Sequence, residues 1–326
     1  MGRPLRCGIG IGKRQMVPLV TLFGGGGFLG RYVAQELMKT GARVRIAERD
    51  PSNAYDLKPL GGLGQSQFVA ASITDPVSTR RAVEGADAVI NLVGVLAGDF
   101  QKLHVDGART VARAAREAGA SAFVQISAIG ADANSASAYG RSKADGETAV
   151  HAEFAGATIL RSSILFGPED SFVNKFASMA SHLPVLPVIR GPVRFQPAWV
   201  ADVAQAVAAA ALDPERHAGK TYELGGPRAI SMADLNAWIA DAIGAKTMFV
   251  PVPDAIAAAM ARFGGWLPGA PITADQWAML QKDNVPAPGS EGFAAFGIEP
   301  KPLEAIAPTW LVRYRRQGRF SLNAPA

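Results

Sequence analysis

At 326 residues, with 48% hydrophobic and 19% charged positions, the chain is long enough for about two ordered domains and unlike a disordered protein. Its net charge of +5 sits at the ends: four cations and no acid occupy residues 1–15, and five cations against Glu304 occupy residues 301–326. The body between them therefore carries −3, which excludes a basic nucleic-acid surface there. One cysteine, Cys7, excludes an internal disulfide or a cysteine metal cluster; the four histidines lack ligand spacing, so no metal is expected, and no apolar stretch reaches the roughly 18 residues that span a bilayer.

Residues 1–15 are expected to form a basic extension. They lack the continuous apolar core of a secretory signal, and they are short and serine-poor for a transit peptide. The run 8–13 resembles a phosphate loop only superficially, because Cys7 stands where the first glycine belongs and Arg14 where a hydroxyl residue belongs. Met16, just before the first strand, is an alternative start.

An apolar run at 17–23 then leads directly into Gly24, Gly27 and Gly30, spaced G-x-x-G-x-x-G, and Phe28, Leu29, Val33 and Leu37 follow with helical periodicity. Strand, tight turn and helix in this order form a dinucleotide-binding fingerprint. Glycines at these positions turn the chain sharply and let backbone approach a pyrophosphate, while the helix start offers the N–H groups of Phe28 and Leu29. Gly41 ends the helix, and a second strand at 42–47 completes a βαβ unit. After that strand come Glu48 and Arg49. An acid there binds the 2′-hydroxyl of NADH, whereas an arginine accommodates the 2′-phosphate of NADPH. Arg49 heads the loop, so the expectation is NADPH with Glu48 pointing elsewhere, and NADH is the alternative.

Residues 53–65 read as a Gly-rich loop, 67–71 as a third strand, and Asp75-Pro76 opens a helix to about residue 84. A buried strand at 88–94 ends in Val93 and Gly94, which face the cofactor crevice in a doubly wound sheet. A helix at 100–119 and a fifth strand at 122–127 bring Ser127 to a strand end. Tyr139 and Lys143 follow at i and i+4 on one helix face. An ammonium beside a phenol favours the phenolate, so the pair suits acid/base chemistry at a carbonyl that Ser127 could orient.

Farther on, a helix starting at Val200 and a strand at 222–226 return to the nucleotide domain. Ser231 with Asp234 and Thr273 with Gln276 make capping boxes for helices to residues 243 and 283. Ile256, Met260 and Phe263 share one stripe, followed by Trp266 and Leu267, which is read either as core or as a docking face. The tail 313–320 alternates arginine with aromatics, as a solvated tail or one touching anionic lipid headgroups would.

Gly24 to Gly30, Asn91-Leu92-Val93-Gly94, Ser127, Tyr139 with Lys143, and Arg161-Ser-Ser-Ile-Leu-Phe-Gly-Pro resemble the extended and atypical short-chain dehydrogenase/reductases. The stretches 165–170, 195–203, 273–285 and 308–315 are similar, within that group, to the NADPH-binding accessory subunits of respiratory complex I and their bacterial relatives. The resemblance covers about residues 17–320. It implies an α/β, Rossmann-type doubly wound parallel sheet over 16–160 with returning segments near 198–226, and a smaller, mostly helical docking region over 161–326. It places Ser72 and Ile73 near the adenine, and Tyr139 and Lys143 at the nicotinamide ribose. Complex I subunits and an anionic membrane surface are the implied partners, on the cytoplasmic face of a bacterial inner membrane or the matrix side in mitochondria. Three departures stand out: Ala128 replaces a second hydroxyl beside Ser127, the strand-3 loop reads Ala71-Ser72-Ile73 where relatives often place an aspartate near the adenine, and Ser162 replaces a common proline. They favour a structural nucleotide over an active NAD(P)H-dependent oxidoreductase or epimerase, which is the alternative.

Overall fold

Apolar, β-branched runs alternate with helical segments through the first two thirds of the chain, and that alternation builds a parallel sheet with helices on both faces. The computed structural model describes residues 17–264, 272–316 and 318. The basic extension with Cys7, together with Trp266, Leu267, Arg319 and Phe320, lies outside them. The first half runs β1 (Leu19–Phe23), α1 (Phe28–Lys39), β2 (Arg43–Glu48), β3 (Ser66–Ala70), α2 (Pro76–Val83), β4 (Ala88–Asn91), α3 (Ala108–Glu117), β5 (Ala122–Ala128), α4 (Ala138–Glu153) and β6 (Thr158–Ser162). The second continues through β7 (Leu165–Phe166), α5 (Val173–His182), β8 (Val185–Ile189), β9 (Arg194–Phe195), β10 (Ala198–Trp199), α6 (Val200–Leu212), α7 (Pro214–His217) and β11 (Thr221–Leu224). It closes with β12 (Ile230–Ser231), α8 (Met232–Ile243), β13 (Met248–Val252), α9 (Asp254–Gly264), α10 (Ala274–Met279), α11 (Leu303–Ile306) and α12 (Pro308–Leu311).

Seven strands pair in the order β3-β2-β1-β4-β5-β6-β11, all parallel. This is the doubly wound Rossmann arrangement, whose strand order reverses between β1 and β4 and so opens a crevice above their C-terminal ends. On one face α1 buries Leu29, Val33 and Leu37, spaced i, i+4 and i+8, in a core shared with the alanines of α6. The small alanines bring α6 close to α1. The opposite face is covered by α2, α3 and α4.

The C-terminal region packs α5 and α8 around Phe166, Leu235, Ile239, Trp310 and Leu311. The β8–β13 pair is parallel and two-stranded. Trp310 stacks on Phe166 and Trp199, with ring centroids 6.4 and 5.8 Å apart, and Trp199 meets Tyr32 of α1 edge-on at 6.2 Å, which links α12 to the nucleotide half. Among the described residues no helix is long and apolar enough to cross a membrane.

Several local expectations change. Residues Pro51–Leu60 form a 3₁₀ helix rather than a loop, because Asp50 accepts the Ser52 N–H at 3.0 Å and Pro51 presets the first turn. The helix expected at 100–119 opens with a π-helical segment, Gln101–Gly107, that runs into α3, and Gly107 sits where a Cβ would lie 2.6 Å from Ile73. The helix after Thr273 stops at Met279 rather than running to residue 283. On α9 the buried positions are Ala257 and Ala261, while Ile256 is 52% and Phe263 71% exposed and Met260 is half-buried, so two of the three large side chains of the stripe stand outward. The tail is less free than its composition implies: Arg313 donates to Pro168 O and Asn174 Oδ1, and Arg315 donates to Ala242 O.

Gly30→Ala should destabilise the protein by about 3 kcal/mol or more in urea unfolding, because the new Cβ would lie 2.2 Å from Gly24 O. Gly41→Ala, in open space at φ +87°, should cost only about 1 kcal/mol.

Candidate nucleotide and active site

The glycine loop is shaped by close backbone approaches. Gly24 adopts φ +80°, Gly27 N–H donates to Gly24 O at 3.2 Å, and Gly30 rests on the Gly24–Gly25 backbone. Gly27 caps α1 without a side chain, the first turn carries no acid, and the N–H groups of Phe28 and Leu29 find no acceptor among the described residues. A helix N-terminus left open in this way favours an anion, so the loop fits the pyrophosphate of a dinucleotide.

At the end of β2 the two candidate residues diverge. Glu48 does not point elsewhere, because its Oε1 accepts the Gly26 N–H at 2.7 Å. The loop offers a free donor within reach of the strand end, and the carboxylate takes it. Arg31 approaches from the other side, donating to Gly26 O at 3.1 Å and pairing with Asp56 at 3.2 Å. Arg49 is exposed and makes no hydrogen bond or ion pair among the described residues.

The β4 end meets the loop directly. A Cβ on Gly24 would lie 3.4 Å from Val93 Cγ2, and one on Gly94 would lie 3.6 Å from Lys143 Nζ and 3.8 Å from His104 Nε2. Gly94, Lys143 and His104 therefore converge, beside Val93 and the glycine loop. On the β3 side, Ser72 Oγ bonds Thr74 Oγ1 at 2.9 Å, and Ile73 is buried.

Lys143 is buried and donates to Ile126 O at 3.1 Å; burial pushes its ammonium down to about 8, opposed by the Glu147 charge. Tyr139 makes no bond to Lys143, and burial pushes its phenol up to about 12. The i, i+4 spacing places the two on one helix, yet desolvation outweighs any benefit from the ammonium. Ser127 is buried and its hydroxyl donates to Glu147 Oε1. Glu147 in turn accepts a bidentate pair from Arg161, at 3.0 and 2.6 Å.

His104 joins the site without any sequence signal beyond its position in the 100–119 segment. Its Nε2 accepts the Val95 N–H at 3.0 Å, which leaves the proton on Nδ1 to donate to Ser142 Oγ at 2.9 Å. The ring stacks on Phe100, with centroids 5.3 Å apart, and meets Tyr139 edge-on at 5.6 Å. Burial first, then the Lys143 charge, pushes the imidazole down to about 4, so it is neutral at physiological pH. The π-helical turn carries His104 to this place, and Gly146 lets α4 approach, since a Cβ there would lie 2.3 Å from His104 O.

Residues 20–225 match the NAD dependent epimerase/dehydratase family. The chain belongs to that family. Its relatives include the rat mitochondrial NADH dehydrogenase [ubiquinone] 1 alpha subcomplex subunit 9, 34% identical over 304 residues, which cover 91% of this chain and 80% of the relative. The Arabidopsis thaliana protein of the same name is 33% identical over 327 residues, covering 95% and 81%. Among solved structures, the NADPH-dependent quinone oxidoreductase QOR2 of Escherichia coli, complexed with NADPH, superposes with a TM-score of 0.72 at 22% identity, over 90% of this chain and 99% of that one. Family and glycine cradle together support binding of a nicotinamide nucleotide.

Burial disfavours the protonated His104 ring in the folded protein. The folded state binds this proton less tightly than the unfolded chain, so the stability contribution is complete above pH 6.5 and lost as pH falls towards 4. Urea unfolding should register a loss of about 2 kcal/mol over that window, and His104→Asn should flatten this part of the profile.

Proposed function

We propose that this chain is a non-catalytic accessory or assembly subunit of respiratory complex I that holds NADPH as a structural cofactor. The observation that carries this reading is the commitment of Ser127 to Glu147, with Ala128 beside it. A reductase needs a hydroxyl to orient the carbonyl in front of its tyrosine, and here that hydroxyl is turned inward. The high Tyr139 value and the kinship with complex I subunits along more than nine tenths of the chain support the same reading.

In this reading Gly24, Gly27, Phe28, Leu29 and Gly30 hold the pyrophosphate, Val93 and Gly94 line the crevice, Lys143 and Tyr139 hold the nicotinamide ribose, and Ser72 with Ile73 flank the adenine. The nucleotide would supply a hydride in a catalytic relative. Arg49, free and exposed, is the partner for a 2′-phosphate, and the Glu48 carboxylate beside Gly26 opposes that second anion. The subunit would sit peripherally on the cytoplasmic or matrix face of the inner membrane. The exposed Arg316 is the described arginine of the tail best placed to meet anionic headgroups.

The test is to release any bound nucleotide from the purified protein, identify it, and follow its redox state in the native protein with a panel of carbonyl substrates. Stoichiometric NADPH that stays reduced, in protein that co-purifies with complex I, is the expected result; turnover abolished by Tyr139→Phe would make the chain an oxidoreductase instead. Arg49→Ala should weaken NADPH about tenfold and NADH hardly at all, and Glu48→Gln should strengthen NADPH several-fold. Equal losses for both nucleotides in Arg49→Ala would reject the choice of NADPH.

A further inference from the structure

The N-terminus of α4, where Tyr139 sits, is capped by a residue far away in the chain. Asp275 Oδ1 accepts the Ala138 N–H at 2.6 Å, and its Oδ2 accepts the Ser137 hydroxyl at 3.0 Å and the Tyr139 N–H at 3.2 Å. Asp275 is held in turn by α10, whose capping box is complete: Thr273 Oγ1 accepts the Gln276 N–H and Gln276 Oε1 accepts the Thr273 N–H. The following residues run across the sheet's C-terminal edge. Arg190 donates to Leu280 O, Lys282 lies 3.6 Å from Asp132, and Arg194 pairs with Asp283 at 2.8 Å. Asn284 closes the span: its Nδ2 donates to Ile129 O at 3.1 Å, just past β5, and its Oδ1 accepts the Ser163 hydroxyl at 2.7 Å, just past β6.

Residues 272–286 therefore form a strap, fixed at one end to the Tyr139 helix and at the other to the loops after β5 and β6. In a doubly wound sheet these strand ends form the ligand crevice, on the side where a substrate would meet the nicotinamide. We propose that Asp275 is a positioning residue of the nucleotide site: it latches the strap over the substrate side and sets how slowly the nucleotide leaves. The proposal rests on the reading that a nicotinamide nucleotide occupies the crevice. A charge-assisted cap on two backbone N–H groups and a hydroxyl is strong enough for the latch, because removing it leaves donors at the helix N-terminus without their acceptor.

The experiment follows bound NADPH by its fluorescence in the full-length protein, measuring its dissociation rate and its quenching by acrylamide. Asp275→Ala should raise the dissociation rate on the order of tenfold and expose the nicotinamide to quencher, while Asp275→Asn, which keeps an acceptor oxygen, should recover part of the difference. Asn284→Ala removes the side-chain ties to Ile129 and Ser163 while the backbone bridge of Asn284 to Phe195 remains, so it should move both readouts in the same direction by a smaller amount; it decides the matter where Asp275→Ala does not fold. Hydrogen exchange at residues 137–140 reports whether the cap has been lost. Faster exchange there with an unchanged dissociation rate would make Asp275 merely structural and overturn the latch alone. A wild-type protein that binds neither NADPH nor NADH would overturn the cofactor reading together with it.

Discussion

A carboxylate placed inside a protein must be met by a cation and by hydrogen bonds, and the way Glu147 is met orders everything around the C-terminal ends of β5, β6 and β11. Arg161 grips it with two bonds and extends its third nitrogen to Glu223 at 3.3 Å. Glu223 then accepts the Ala287 N–H at 2.6 Å, which ties in the chain just beyond Asn284. Ser127 is drawn into the same network. One desolvated charge thus joins α4, three neighbouring strands and the segment that crosses above them. The Ser127 hydroxyl, which a reductase would aim at its substrate, is committed inward to this network.

The nucleotide half was legible because its signals are local. A strand, three glycines and a helix within residues 17–39 dictate their own geometry, and the alternating stretch 42–47 with the apolar stretches at 88–94 and 122–127 reads as strands of the same sheet. The alternation of strand and helix then fixes the doubly wound architecture. What sequence could not supply was the direction of side chains that compete for partners. Glu48 and Arg49 are adjacent, and only the free Gly26 N–H decides which one turns to the loop. His104 reaches the site because a π-helical turn shifts its phase from that of a regular helix. Asp275 caps a helix that begins at residue 138, and no local pattern announces a cap supplied from such a distance.

The C-terminal region was legible in its element types more than in its faces. The capping box at Thr273 and the left-handed Gly244 after α8 follow from residue chemistry. On α9, by contrast, Ala257 and Ala261 are buried, and Ile256 and Phe263 stand outward. Size and hydrophobicity alone would have inverted that helix. Close packing rewards a small side chain where another backbone approaches, so alanine can mark the inner face. Met248 and Val250 on β13 and Val185 on β8 are exposed as well.

The link between Asp275 and the Ser137–Tyr139 turn also governs the order in which this molecule can be assembled. A contact across more than 130 residues forms only after a long loop has closed, and on a growing chain only after its distal partner has been synthesised. The helix bearing Tyr139 keeps its local cap, Ser137 Oγ accepting the Gly140 N–H at 3.2 Å, but the Ala138 and Tyr139 N–H groups gain their acceptor only when residue 275 is available. During synthesis the glycine cradle therefore exists before the crevice above it is closed. If the strap latches as proposed above, a nucleotide would enter the glycine cradle before the C-terminal third is complete and be enclosed when Asp275 reaches the Ser137–Tyr139 turn.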